Sequence, residues 1–378
     1  MAKDKKKKGK GSRASILLAP LVGAVFGAFI GYFLPNLPHT PTRLLVIALS
    51  LLVAAVLHLL VHEAGHLVFG LLTGYQFASF RVDSFMWVKE GDTIKFKRMS
   101  LVGTAGQCLM APPELVDGKM PFVLYNMGGV VFNVLAGGLS LVLFLAQKQV
   151  TYLSFALLLI GVFGLLCALL NGFPLHLAAI NNDGCNTRSL HKNPQALYSF
   201  WMQLHVSAQI AQGLRLKDMP AEWFYIPADE EMHNSMVTVI AVFHCNRLMD
   251  LQAFDEVYPL IDHLLELDSA IVGLHRSLLH CDRIYCELVG ENRPDRLATM
   301  LDGPYKKFAK AMKNFPSVIR TEYAHTLLAE KDLEKATQIM HRFEKVARSY
   351  PYLADIQSER ELMQVADAKY AEIFSSAT

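Results

Sequence analysis

The sequence predicts a mostly α, polytopic membrane protein: about four transmembrane helices with a small β-hairpin, followed by a soluble all-α domain of helical hairpins. Three observations lead there. The chain has 378 residues, of which 52% are hydrophobic and 19% charged. Charges gather in the first thirteen residues, in one alternating stretch and after Asp183, leaving apolar runs across most of the first half. From Asn193 onward the pattern turns amphipathic and helical. The expected division is a basic tail (1–13), a membrane-embedded domain (14–190) and a cytoplasmic α-helical domain (191–378).

Net charge is only +2, so the basic excess is local and nothing points to nucleic acid. The six cysteines (Cys108, Cys167, Cys185, Cys245, Cys281, Cys286) have no C-x-x-C spacing and no disulfide framework. Cys281 and Cys286 lie beside His280, but five helical positions do not put two thiols on one face, so they read as buried and free.

In order, MAKDKKKKGKGSR is a solvated tail drawn to anionic headgroups, which places the N-terminus in the cytoplasm. Ser15 to Leu34 is the first span, with Gly23, Gly27 and Gly31 permitting close helix approach; no small-x-small cleavage site marks it for removal. The second span, about Leu44 to Leu72, runs inward and carries His62, Glu63 and His66. These form an H-E-x-x-H pattern, whose two imidazoles four residues apart lie on one helix face and can grip one ion. At 1.5 Å per residue they sit about 10 to 15 Å from the inner end. Ionisable groups inside hydrocarbon are expensive and usually functional, although buried histidines satisfied by neighbouring helices are the bland alternative.

Tyr75 to Arg98 alternates apolar and polar residues around Glu90-Gly91-Asp92 and reads as a β-hairpin. It either offers an edge to an extended peptide or lies as an amphipathic hairpin at the interface. Ser100 to Lys119 reads as a loop. Pro121 to Ala146 is the third span, where Asn133 either holds a peptide backbone or glues helices together beside Gly128 and Gly129. Tyr152 to Leu170 is the fourth. It breaks at Asn171-Gly172-Phe173-Pro174 and delivers Asp183 to the inner side.

A hydrolytic zinc site needs three protein ligands and one open position. His58 shares a face with His62 and His66, but eight helical residues span about 12 Å, too far for one ion, so it reads as a supporting or pore-lining group. Asp183 is the expected third ligand.

H-E-A-G-H in one span, GGVVFN in the next and NGFP followed by DG after another resemble the site-2 protease family of intramembrane zinc metalloproteases, over about residues 44 to 190. The resemblance implies Zn2+ held by His62, His66 and Asp183, with Glu63 activating water. It also implies that Asn171 positions substrate or stabilises the oxyanion and that Asn133 contacts the substrate backbone. The longer segment between Asn171 and Asp183 leaves Asn181 or Asn182 as substitutes for Asn171. Substrates would be membrane-embedded peptides or single-span proteins, and the location a bacterial-type cell membrane with both termini cytoplasmic. The alternative function is a non-proteolytic membrane scaffold that recruits partners through its helical domain.

In that domain, stretches beginning at His244, His280 and Tyr323 resemble one another at irregular spacing, as an array of tetratricopeptide-like helical hairpins would. Such stacks present a groove to a peptide or a regulator.

Overall fold

The computed structural model describes residues 23–37, 41–101, 104–174, 181–191 and 193–375. The basic tail, the first residues of the expected first span and the stretch 175–180 lie outside the described residues.

The chain is mostly helical and divides into two compact units: residues 1–75 with 121–188, and 76–120 with 189–378. One break between the units falls near residue 189. The insert 76–120, expected within the membrane domain, instead groups with the C-terminal helices.

Three helices of the first unit are long and apolar enough to cross a bilayer: α2 (Arg43–Leu72), α3 (Phe122–Leu145) and α4 (Tyr152–Gly172). A shorter apolar helix, α1 (Gly23–Asn36), precedes them, so the expected four spans are three within the described residues. Thr151 caps α4: its hydroxyl accepts the Ser154 N–H at 3.2 Å, while the Thr151 N–H donates to Ser154 Oγ at 2.7 Å. Phe173, extended ahead of Pro174, ends the helix. The short α5 (Asp183–Leu190) follows.

Glycines let these helices touch backbone to backbone. A Cβ on Gly65 of α2 would strike the Gly128 carbonyl of α3, and one on Gly137 of α3 would come within 2.9 Å of Gly161 O of α4. A Cβ on Gly164 of α4 would strike the His58 ring of α2. Each pairwise contact is thus made by small residues, as membrane helices require where burial of oily surface supplies no net attraction.

The second unit opens with a four-stranded antiparallel sheet rather than the single hairpin expected: β1 (Gln76–Val82), β2 (Phe85–Glu90), β3 (Thr93–Arg98) and β4 (Gly106–Ala111), in the order β3-β2-β1-β4. The turn at Gly91 (φ 58°) is the one the sequence marks. A second turn, with Asp83 at φ 54°, joins β1 to β2, and β4 occupies part of the expected loop. Met86 and Val88 point inward, fully buried; Phe85, Trp87 and Phe96 form an exposed aromatic cluster on the other face, with Phe96 54% exposed.

The helices that follow are α6 (Pro194–Ala211), α7 (Ser235–Asp250), α8 (Phe254–Glu266), α9 (Gly273–Val289), α10 (Pro294–Met300), α11 (Pro304–Ala311), α12 (Pro316–His325), α13 (Leu333–Ala347) and α14 (Leu353–Ser375). The pairs α7–α8, α9–α10 and α12–α13 are helical hairpins. Each turns through one left-handed non-glycine residue, Gln252, Asn292 and Lys331, spaced 40 and 39 residues apart. Tyr285, Phe343 and Ile319 are fully buried between them. Cys281 and Cys286 are buried toward different neighbours: Cys281 Sγ lies 3.1 Å from Thr321 Oγ1, and Cys286 Sγ 3.6 Å from Met249 Sδ.

Candidate metal centre

One helical turn separates His62 from His66 on α2, and their Nε2 atoms converge to 3.2 Å. Asp183, first residue of α5, brings Oδ2 to 3.1 Å from His62 Nε2 and 3.6 Å from His66 Nε2. A tetrahedral ion with bonds of about 2.0 to 2.2 Å holds its ligand atoms about 3.3 to 3.6 Å apart, and the edges of 3.1, 3.2 and 3.6 Å come within about 0.2 Å of that range. Asp183 Oδ2 is buried without a hydrogen bond, an orphaned acceptor of the kind a cation satisfies. Three ligand atoms so placed fit zinc, whose hydrolytic sites keep a fourth position for water.

Partners on the far side of each ring point its lone pair at that centre. His66 Nδ1 lies 2.8 Å from the carbonyl of Tyr125, so Nδ1 carries the proton and Nε2 is free to ligate. On the other ligand, His62 Nδ1 meets the Asn133 amide at 3.2 Å, and the opposite end of that amide lies 3.0 Å from His58 Nδ1. His58 Nε2 is 2.9 Å from the carbonyl of Ile160. Amide oxygen and nitrogen are interchangeable by a flip. One assignment satisfies every atom: His58 Nε2–H donates to Ile160 O, the Asn133 amide donates to His58 Nδ1, and His62 Nδ1–H donates to the Asn133 oxygen. That assignment leaves His62 Nε2 bare for a metal.

The site is held by glycine on both sides. A Cβ on Gly129 would collide with the His62 ring, and one on Gly184 would collide with the backbone of Gly172. The second contact presses the start of α5 onto the end of α4. Asn182 locks it there, donating to the carbonyls of Leu170 and Phe173, each at 2.6 Å, while its own oxygen accepts the Cys185 N–H at 2.9 Å and caps α5.

His62, His66 and Asp183 are therefore brought together as the sequence predicts. Glu63, only 6% exposed, lies within electrostatic reach of His66. Asn133 is 1% exposed, with both ends of its amide within hydrogen-bond distance of histidines, the arrangement of the helix-gluing reading. Asn171 donates to Cys167 O at 3.0 Å within α4, and no contact among the described residues ties it to the three ligands. Of the asparagines the sequence offers in its place, Asn182 is committed to the α4–α5 junction. Sequence reasoning missed that clamp, although an asparagine immediately before D-G-C is a helix N-cap signal. Comparison with known proteins finds no matching family model, no matching curated protein and no matching solved structure.

Proposed function

We propose that this chain is an intramembrane zinc metalloprotease that hydrolyses peptide bonds of membrane-embedded peptides or single-span proteins. The convergence of His62, His66 and Asp183, beside Glu63 and on a helix apolar enough to cross a bilayer, carries this reading. A zinc ion there would polarise a scissile carbonyl and bring the pKa of water near neutrality. Glu63 takes a proton from the attacking water and passes it to the departing amine. At 6% exposure the Glu63 carboxylate is kept from bulk solvent and would act as a base with little competing hydration. A substrate helix hides its carbonyls in its own hydrogen bonds, so cleavage favours segments that unwind readily.

Co-expression with a tagged single-span substrate tests the proposal. Wild type should release a soluble fragment, and Glu63→Gln should retain zinc while cleavage falls by about three orders of magnitude or more. Undiminished cleavage by Glu63→Gln would falsify it.

A further inference from the structure

The second unit holds a half-open cavity of about 350 Å³ between β4, α6, α7, α9, α12 and α14. That lies at the lower end of the range of small-ligand sites. Its charged lining is unbalanced: Arg215 and Arg320 face Asp250, Asp282, Asp355 and Glu359. Arg215 Nε donates to Asp250 at 3.1 Å; Arg320, 1% exposed, donates to Glu359 at 2.9 Å and also pairs with Asp282. Three of the four carboxylates are thus spoken for by the two guanidinium groups. Asp355 has no hydrogen bond or ion pair among the described residues and looks into the cavity across from like-charged Asp250 and Glu359.

Neutral polar groups on the same wall are also unengaged. Gln203, Asn246, Ser317 and Ser358 line the cavity, and none of their side chains has a hydrogen-bonding partner among the described residues. Ser317 is 8% exposed. Gln203, Asn246 and Ser358 are half-buried, but a buried hydroxyl is ordinarily paired, so the unpaired Ser317 facing the void marks a place built to be filled. The remaining wall is apolar, with Leu109, Phe243 and Leu278.

We infer that this cavity binds an extended peptide segment through a lysine or arginine side chain, with Asp355 receiving the cationic head. Asp355, the lining carboxyl that neither guanidinium engages, is the group left to pair with a monocation, which would displace the proton it otherwise holds. Apolar walls take the aliphatic stem that such side chains bury readily. Amides and hydroxyls, which both donate and accept, match the backbone N–H and C=O of a segment with no secondary structure of its own. The volume admits a side chain and its flanking peptide groups, not a folded domain. This site is independent of the proteolytic reading, because its test reads binding alone.

The experiment uses the full chain in detergent micelles and three probes: Ac-Ala-Lys-Ala-amide, its norleucine isostere and its glutamate counterpart, titrated at millimolar concentration by ligand-observed NMR. The lysine peptide should bind at least about tenfold more tightly than the norleucine peptide, and the glutamate peptide should not bind. Asp355→Asn should abolish the preference for lysine, and Ser317→Ala should weaken the lysine peptide without removing that preference. Asp355 has no partner to lose, so its amide variant keeps the fold, which an unchanged limited-proteolysis pattern checks. Equal binding of the lysine and norleucine peptides, an unaltered preference in Asp355→Asn, or no binding of the lysine peptide overturns the inference.

Discussion

Asn133 holds His62 in place: its amide lies between His58 and His62, and His58 is itself anchored on the carbonyl of Ile160. Removing such an outer partner ordinarily lowers metal affinity by about 10- to 100-fold. Asn133→Ala should therefore lose zinc at chelator concentrations that wild type withstands, measured as metal content after dialysis, while His58→Ala should show a smaller loss. His62 and His66 were legible because their spacing on α2 is local. The support was not, since nothing in the order of residues says that His58 reaches Asn133 on another helix. Asp355 gives the second prediction at this scale. Burial, then the charges of Glu359 and Asp250, push its carboxyl up to about 7. Arg320 and Arg215 offset those neighbours only in part, being engaged with Glu359 and Asp250 themselves, and His275, whose imidazole burial holds down at about 4, adds no positive charge at neutral pH. The folded state thus keeps a proton that the unfolded chain releases from about pH 4 upward, so this residue's contribution to stability is lost as pH rises to about 7. Melting of Asp355→Asn against wild type should show a gain of about 2 °C or more near pH 8 that vanishes near pH 4. The same substitution is predicted to abolish recognition of the lysine peptide, so here stability is traded for binding.

Helices α2 and α3 approach so closely at Gly65 and Gly128 that a methyl on either meets backbone, which cannot rotate away. Gly65→Ala or Gly128→Ala should cost about 1 to 3 kcal/mol through forced separation, read as a lower melting temperature in detergent and lost zinc. Gly138→Ala on the same α3, where no atom lies within 4 Å of the added carbon, should be neutral. The sequence marks these glycines as permissive for packing but not which faces which. Elements dependent on local pattern alone, α2, α3 and α4, were legible; β4 was hidden because residues 100–119 are rich in turn formers, and its strand exists only by pairing with β1. The helical repeat shows a subtler failure. His244-Cys245 and His280-Cys281 look equivalent, but the left-handed turn lies eight residues after His244 and twelve after His280. Those four residues are about one helical turn, so matching the two dipeptides shifts the repeats out of register. Turn conformation, not residue identity, repeats regularly.

At the scale of the whole molecule, the composition of the second unit constrains topology. Residues 76–120 and 189–378 pack into one compact body, so both must lie on the same side of a bilayer. Between them lie α3 and α4, both long and apolar enough to cross; two crossings would be the even number this requires. Had only one of those helices crossed, the sheet could not pack against α6, and the hydrogen bond from Trp201 Nε1 to Pro113 O at 2.9 Å could not form. Basic residues then choose the side. Arg81, Lys89, Lys95, Lys97, Arg98 and Lys119 fall between α2 and α3, whereas the α3–α4 turn has Lys148 alone. By the rule that positive charge is retained on the cytoplasmic face, the prediction is that the sheet and the helical array lie there and the α3–α4 turn lies outside. A green fluorescent protein fused after the last residue should fluoresce, and alkaline phosphatase at the same position should be inactive. Phosphatase inserted at the 147–150 turn should be active. Active phosphatase at the C-terminus would reverse the orientation. Opposite sides for the C-terminus and for a reporter in the β2–β3 turn would sink the two-crossing argument itself, because one folded body cannot straddle the membrane.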